Sequence, residues 1–372
     1  MIETNSVRAA IRWRSFHGRL LKTLAAGLTL FTSAICCATA DASQLTIGAL
    51  GDSLTDEYAY NGRGYAQNWV EQLVNYAGVN FGPLGSYAAP RNQGYAYNWA
   101  RSGATSSSMI SGGQVSGLAA QIPSAGIQYV TIDIGTNDFS PGGTAFNNIY
   151  NGTWSSTQIT NYIDQVATNI STAISAEQNA GAKVVVATVG NYGLVPGVAA
   201  VFPDSAGLQR LTNAISQVNA GIMSTAQTDH IAVVNYDLLA QVLFASGIAS
   251  NGSVLIGNVP IFLNQNTSTN PSQAAFVSDG IHPNTAIQGL VANLFMQALN
   301  TGYNAGAPLF TEAQLLAHQG LAYGGSDTLA AQIGSYSNYI VNFVPEPSAV
   351  VLAALGIGAM LIVVARPSRQ SV

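Results

Sequence analysis

Between Ala38 and Val372 the sequence has no cysteine; the chain's two, Cys36 and Cys37, are neighbours inside an apolar stretch near the amino end. A chain cut after that stretch has neither a disulfide nor a thiol nucleophile, and its cysteine content says nothing about redox compartment. Charge is scarce as well. Asp, Glu, Lys and Arg make up 8% of residues, so the polar surface must be solvated largely by Asn, Gln, Ser, Thr and Tyr. Of the 12 basic residues, Arg8, Arg12, Arg14, Arg19, Lys22, Arg366 and Arg369 lie near the two ends. The middle therefore lacks a basic patch to neutralise phosphates, which argues against a nucleic-acid partner. Beyond the amino-terminal segment the histidines are His230, His282 and His318. Widely spaced and without cysteine, they form no metal site. The glycines follow no phosphate-cradling pattern, and no cofactor is expected.

What is present begins with the ends. Arg8, Arg12, Arg14, Arg19 and Lys22 precede the mostly apolar run LAAGLTLFTSAICCATA, Leu24 to Ala40. Ala38-Thr39-Ala40 then has the small-x-small pattern of a cleavage site, with Ala40-Asp41-Ala42 a second choice. Residues 1–42 are expected to be a signal peptide, with an uncut anchor as the alternative reading. Ile35 before Cys36 argues against a lipoprotein-type site. At the other end an apolar or small-residue run extends from Ala349 to Ala365 and is closed by Arg366 and Arg369. As a helix, 349–365 would span about 25 Å, slightly short of a hydrocarbon core of roughly 30 Å. With Pro345-Glu346-Pro347 just before it, the segment 344–372 resembles the PEP-CTERM sorting signal of exopolysaccharide-producing Gram-negative bacteria. The resemblance implies processing by an exosortase-type machinery and at least transient membrane contact through the apolar helix.

Between the ends, four short runs rich in β-branched residues read as strands: Leu45–Leu50, Tyr129–Ile134, Lys183–Val189 and Ile231–Tyr236. Long segments separate them. In Ile159–Ala180, the residues Ile159, Ile163, Val166, Ile170 and Ile174 draw one apolar stripe on a helix, and Gly181 stands just past its end. Leu211–Gln227 and Thr285–Leu299 read as further helices. Strands alternating with helices predict an α/β fold, a mostly parallel sheet covered on both faces, in residues 43–302. Pro271–Ile281 shows no strand or helix pattern and is expected to be a loop. Residues 303–343 read as an extension or spacer with one helix, Thr311–Leu321.

In such sheets the ligand crevice lies beyond the carboxyl ends of the strands. The first strand delivers Ser53 there, in Gly51-Asp52-Ser53-Leu54, and the second delivers Gly135-Thr136-Asn137-Asp138. A serine hydroxyl needs a base to take its proton. His230 precedes a strand and belongs at the opposite edge, while His318 is expected on the surface of the extension's helix. That leaves His282. In SDGIHPN, Ser278 to Asn284, Asp279 stands three residues before it, so one loop can present an imidazole and the carboxylate that fixes its tautomer. Backbone N–H groups beside a glycine, as in NWARSG at Asn98–Gly103, and the Asn137 side-chain amide are suitable donors to an oxyanion. Asp133, inside an apolar strand, is expected to be a hydrogen-bonded sheet residue rather than a second catalytic carboxylate.

Gly51-Asp52-Ser53-Leu54, Gly103, Gly135-Thr136-Asn137-Asp138 and Asp279-Gly280-Ile281-His282 together resemble the four ordered blocks of the GDSL, or SGNH, hydrolases over roughly residues 45 to 300. The G-x-S-x-G elbow of α/β-hydrolases is absent around Ser53. The resemblance implies a three-layer α/β/α sandwich. It also implies Ser53 as nucleophile, His282 as general base and then acid, and Asp279 as the group that orients His282. The oxyanion hole would be the N–H groups of Ser53 and Gly103 with the Asn137 amide. Aromatic and cationic residues near these blocks, Arg63, Tyr65 and Trp99 among them, are candidate substrate contacts. The expected activity is that of an exported serine esterase of the cell envelope, surface or matrix. O-acetylated polysaccharide is the first substrate expectation, with lipids or small acyl esters close behind. An acyltransferase using the same site and a surface or biofilm protein with an idle site are the alternatives.

Overall fold

The computed structural model describes residues 44–91, 93–245 and 252–345. The signal-peptide and sorting-signal expectations, including the apolar run 349–365, lie outside the described residues. Among the described residues no helix is long and apolar enough to cross a membrane.

The strands are β1 (Ile47–Gly51), β2 (Leu84–Ser86), β3 (Gln93–Tyr95), β4 (Tyr129–Asp133), β5 (Lys183–Ala187), β6 (Ala232–Val234), β7 (Ser253–Ile256), β8 (Val259–Thr267), β9 (Ala274–Val277) and β10 (Ile340–Asn342). The main sheet runs β1-β4-β5-β6-β10, parallel except for β10. Both its faces are covered, so its strands read as continuous apolar runs whose side chains alternate between two cores. Ile47, Ala49, Val185 and Val234 enter one core, while Leu50, Val130, Ile132, Val184 and Val233 enter the other.

The helices are α1 (Trp69–Ala77), α2 (Ser106–Ser111), α3 (Gln114–Ala125), α4 (Thr144–Tyr150), α5 (Ser156–Asn179), α6 (Pro196–Val201), α7 (Ser205–Asp229), α8 (Tyr236–Ala240), α9 (Thr285–Tyr303), α10 (Glu312–His318) and α11 (Leu329–Ile333). α1 and α9 bury Trp69, Leu73, Leu290 and Phe295 in the first core. α3, α5 and α7 bury Leu118, Val166, Ile170 and Ile215 in the second. The result is the three-layer α/β/α sandwich that the alternation of strands and helices predicts. α5 starts a turn before its apolar stripe because Ser155 caps it: the Ser155 side chain accepts from Gln158 N–H while the Gln158 side chain accepts from Ser155 N–H. α7 likewise starts early, at Ser205, because the carboxylate of Asp204 before it accepts from the N–H groups of Ala206 and Gly207.

Three expectations need correction. Pro271–Ile281 is not all loop: it contains β9, which pairs in parallel with β8 in a small sheet β7-β8-β9 inserted between β6 and α9. Its four residues, AAFV, are all buried and so carry no alternation to read. His318 is only half exposed: it stacks on Tyr76, lies edge-on to Phe310, and its Nδ1 is 3.0 Å from Gln72 Oε1. Burial lowers its imidazole to about 4. The sheet also gains a fifth strand that no sequence run announces, β10, which closes the β6 edge.

Candidate active site

Three segments converge at the carboxyl edge of the sheet. After β1 the chain turns at once: Asp52 Oδ1 accepts from Leu54 N–H, and the Asp52 carbonyl accepts from Thr55 and Asp56 N–H. Ser53 stands on this turn, largely buried. The Asp56 carboxylate accepts from Ser102 N–H at 2.8 Å, which ties the segment carrying Gly103 to the same turn. Gly103 has φ +80°, and a Cβ there would meet nothing within 4 Å, so it is the left-handed backbone rather than crowding that suits glycine here. After β4, Gly135 (φ +110°) turns the chain back on itself; a Cβ there would lie 2.6 Å from Val189. Asn137 follows, with one Nδ2–H donated to the Ala104 carbonyl at 3.0 Å. Asp138 is occupied elsewhere, accepting from both N–H and hydroxyl of Ser106 at the start of α2.

The third segment joins β9 to α9. His282 Nε2 lies 2.7 Å from Ser53 Oγ, and His282 Nδ1 lies 2.7 Å from Asp279 Oδ2. Asp279 Oδ1 accepts from the N–H groups of Ile281 and His282, both at 2.9 Å. Burial works to raise the Asp279 carboxyl. The hydrogen bonds from the His282 ring and backbone outweigh it and hold the group well below the usual carboxylate range. An ionised Asp279 thus fixes the proton of a neutral imidazole on Nδ1 and leaves the Nε2 lone pair facing the serine hydroxyl.

Tyr58 and Tyr65 hold this loop. The Tyr58 hydroxyl donates to the Pro283 carbonyl and its ring stands edge-on to His282 at 6.3 Å. The Tyr65 hydroxyl donates to the Thr267 carbonyl and accepts from Ser278 N–H. Arg63 reaches the site itself: Nη2 is 3.3 Å from His282 Nε2 and Nε is 3.4 Å from Asp279 Oδ2. The Trp99 indole is packed on α3, its N–H donated to Gln121 Oε1, so close that a Cβ on Gly117 would lie 2.2 Å from the ring.

Two further features were not legible in the motifs. One is a cavity of about 170 Å³ whose lining starts at Ser53 and Asn137 and continues through Leu239, Leu243, Phe244, Leu263, Phe276 and Val291. Its wall is overwhelmingly apolar and draws on α8, the small sheet and α9; the run Leu238-Leu239 to Phe244 was the one available signal. The other is a buried carboxyl pair, Asp52 and Asp133, behind the serine. Asp133 accepts from Thr55 Oγ1 at 3.5 Å, as a sheet residue with a partner, while Asp52 Oδ2 has none. Burial, then the charge of Asp133, pushes Asp52 up, and burial does the same to Asp133. Among the described residues no group of His, Cys, Asp and Glu could hold a metal ion.

This geometry can carry acyl transfer through a serine. No curated protein matches the chain. Among solved structures, it is similar to an esterase from Pseudoalteromonas sp. (16% identity, 69% of this chain and 98% of that one, TM-score 0.38). It is also similar to an acetyl xylan esterase from Geobacillus stearothermophilus (14%, 68% and 94%, TM-score 0.39). A third is a GDSL-like lipase from Bacteroides thetaiotaomicron (15%, 73% and 95%, TM-score 0.38). The family model for GDSL-like lipase/acylhydrolase matches residues 47–295, most of the described sequence. The chain therefore belongs to the GDSL-like lipase/acylhydrolase family and is an ester-bond hydrolase.

Proposed function

We propose that the protein is an exported serine ester hydrolase that forms an acyl-enzyme at Ser53 and takes an aliphatic acyl group longer than acetyl. The observation that carries the catalytic part is the unbroken chain Ser53 Oγ, His282 Nε2, His282 Nδ1, Asp279 Oδ2, with 2.7 Å at each of its two hydrogen bonds. As the hydroxyl attacks the ester carbonyl, its proton passes to Nε2. The imidazolium, steadied by Asp279, then gives that proton to the departing alkoxide. Water repeats the sequence to release the acid. The oxyanion is received by the N–H groups of Ser53 and Gly103 and by the second Nδ2–H of Asn137. Export rests on the amino-terminal pattern of residues 1–42, and sorting at the envelope on the 344–372 resemblance.

Support for the acyl preference comes from the cavity beside Ser53. An acetyl group would leave most of its apolar wall uncovered, whereas each buried methylene contributes roughly 0.8 kcal/mol, about fourfold in kcat/KM. O-acetylated polysaccharide is accordingly the weaker of the substrate expectations. The test is a series of p-nitrophenyl esters, from acetate through butyrate to octanoate, with fluorophosphonate labelling of the parent and of Ser53→Ala. The expected result is a rise in kcat/KM from acetate until the cavity is filled, with turnover and labelling both lost in the variant. Fastest turnover of acetate would remove the acyl assignment; undiminished activity of Ser53→Ala would remove the mechanism.

A further inference from the structure

The guanidinium of Arg63 lies against both members of the Asp279–His282 pair. Its backbone N–H donates to the Tyr58 carbonyl, and its charged head lies 5.5 Å from the centre of the Tyr58 ring. Nε reaches Asp279 Oδ2 at 3.4 Å, long for a charge-assisted bond. Asp279 already accepts from Ile281 N–H, His282 N–H and the His282 ring. Nη2 instead faces His282 Nε2 at 3.3 Å, in competition with Ser53 Oγ for the one lone pair of that nitrogen. Nη1 is buried and has no partner at all.

Once His282 has taken the serine proton, Nε2 becomes a donor on a cation, and the guanidinium N–H facing it becomes a repulsive neighbour. Arg63 must then turn to an acceptor. Nε2 at that moment faces the departing alcohol, so the acceptor belongs to the alcohol side of the ester. The acyl side is spoken for by the apolar cavity, whose lining contains neither Arg nor Lys. We infer that Arg63 selects the alcohol part of the substrate, and that this alcohol carries an anionic substituent, held by Arg63 Nη2. The inference rests on the reading of Ser53 as nucleophile and His282 as base. Arg63 neither gives nor takes a proton: the proton travels from Ser53 Oγ through Nε2 to the alkoxide.

The test compares butyrate esters of p-nitrophenol and of its ring-carboxylated analogue, with kcat and KM measured separately for the purified parent, Arg63→Gln and Arg63→Lys. The parent should favour the carboxylated ester by roughly tenfold or more in kcat/KM, as a charge-assisted contact implies. In Arg63→Gln that ratio should collapse, chiefly through a higher KM for the anion, and Arg63→Lys should restore part of it. No anionic preference in the parent, or an equal proportional loss on both esters in Arg63→Gln, would overturn the proposal and leave Arg63 as a brace for the Asp279–His282 loop. If Arg63→Gln does not fold, the parent's own ratio decides, and it should shrink as salt is raised. A folded parent that turns over neither ester and resists fluorophosphonate fails at the hydrolase reading, a result distinct from turnover without charge preference.

Discussion

A carboxyl group buried without a partner makes stability depend on pH, and Glu177 is such a group. It lies on α5, fully buried, and neither of its side-chain oxygens has a hydrogen-bond partner. Burial raises it from 4.5 to about 8. Below about pH 4.5 both the folded and the unfolded chain hold the proton, and the fold bears no penalty. As pH rises, the unfolded chain gives up its proton first, so stability is lost progressively until the folded group also ionises near pH 8. Glu177→Gln should abolish this loss. Urea unfolding of parent and variant should differ little near the acid end of that range and by on the order of a few kcal/mol in favour of the variant above it. A difference that does not change with pH would mean that Glu177 is ionised or solvated in the folded state. At this scale the sequence is legible where residues stand in a recognisable block, as Ser53 and His282 do although 229 positions separate them, or are neighbours along the chain. Asp279 and His282 are three residues apart, whereas Arg63 meets His282 across 219 positions and nothing in the sequence announces the contact.

The element that decides whether His282 stays in register is the β9–α9 connection, and its anchor is Asn284 rather than a motif residue. Fully buried, Asn284 caps α9 by accepting from Thr285 N–H, and its Nδ2 donates to the Ala274 carbonyl and Asn270 Oδ1. Its own N–H donates to the Ala275 carbonyl, and Val277 N–H donates to that of His282. Asn284→Ala should cost about 0.5–2 kcal/mol for the cap alone. It should also lower kcat, because the loop between two fixed ends would lose one of them. Asn284→Asp keeps the cap acceptor but not the amide donors, and should recover more stability than activity. The comparison is of urea midpoint and kcat on the same preparations. Full activity in a destabilised Asn284→Ala would show that Tyr58 and Tyr65 suffice to hold the loop. Helices over about fifteen residues are legible here because a stripe such as Ile163, Val166, Ile170 and Ile174 repeats often enough to be seen. Their true starts are set by single capping residues, Ser155 and Asp204, and are missed. β9 and β10, four and three residues long, are too short to carry a period.

At the scale of the whole molecule, the surprise is how residues 304–345 are used. The sequence reads 303–343 as a Gly- and Ser-containing extension or spacer. In the fold, Leu315 and Leu316 of α10 are fully buried, and Leu315 packs so closely on α9 that a Cβ at Gly289 would lie 2.4 Å from its side chain. Glu312 fastens the segment to the inserted sheet and to α11, accepting from the N–H groups of Gly257, Thr328 and Leu329. β10 then pairs with β6 and covers an edge of the main sheet. Such sparse, long-range anchoring leaves little local periodicity, so the sequence shows the helix within Thr311–Leu321 but neither its docking nor β10. It also makes a definite expectation. A segment sharing one core with the sheet should unfold with it, so Leu315→Ala should lower the stability of the entire protein by about 2–5 kcal/mol, as a cavity in a packed interior does. In urea, far-ultraviolet circular dichroism and tryptophan fluorescence, the latter reporting Trp69 in one core and Trp99 and Trp154 against the other, should show one transition, displaced as a unit. Two transitions, with the main-core signal unmoved by the substitution, would mean that the carboxyl-terminal segment opens independently. The covered edge of β6 would then be exposed whenever it did.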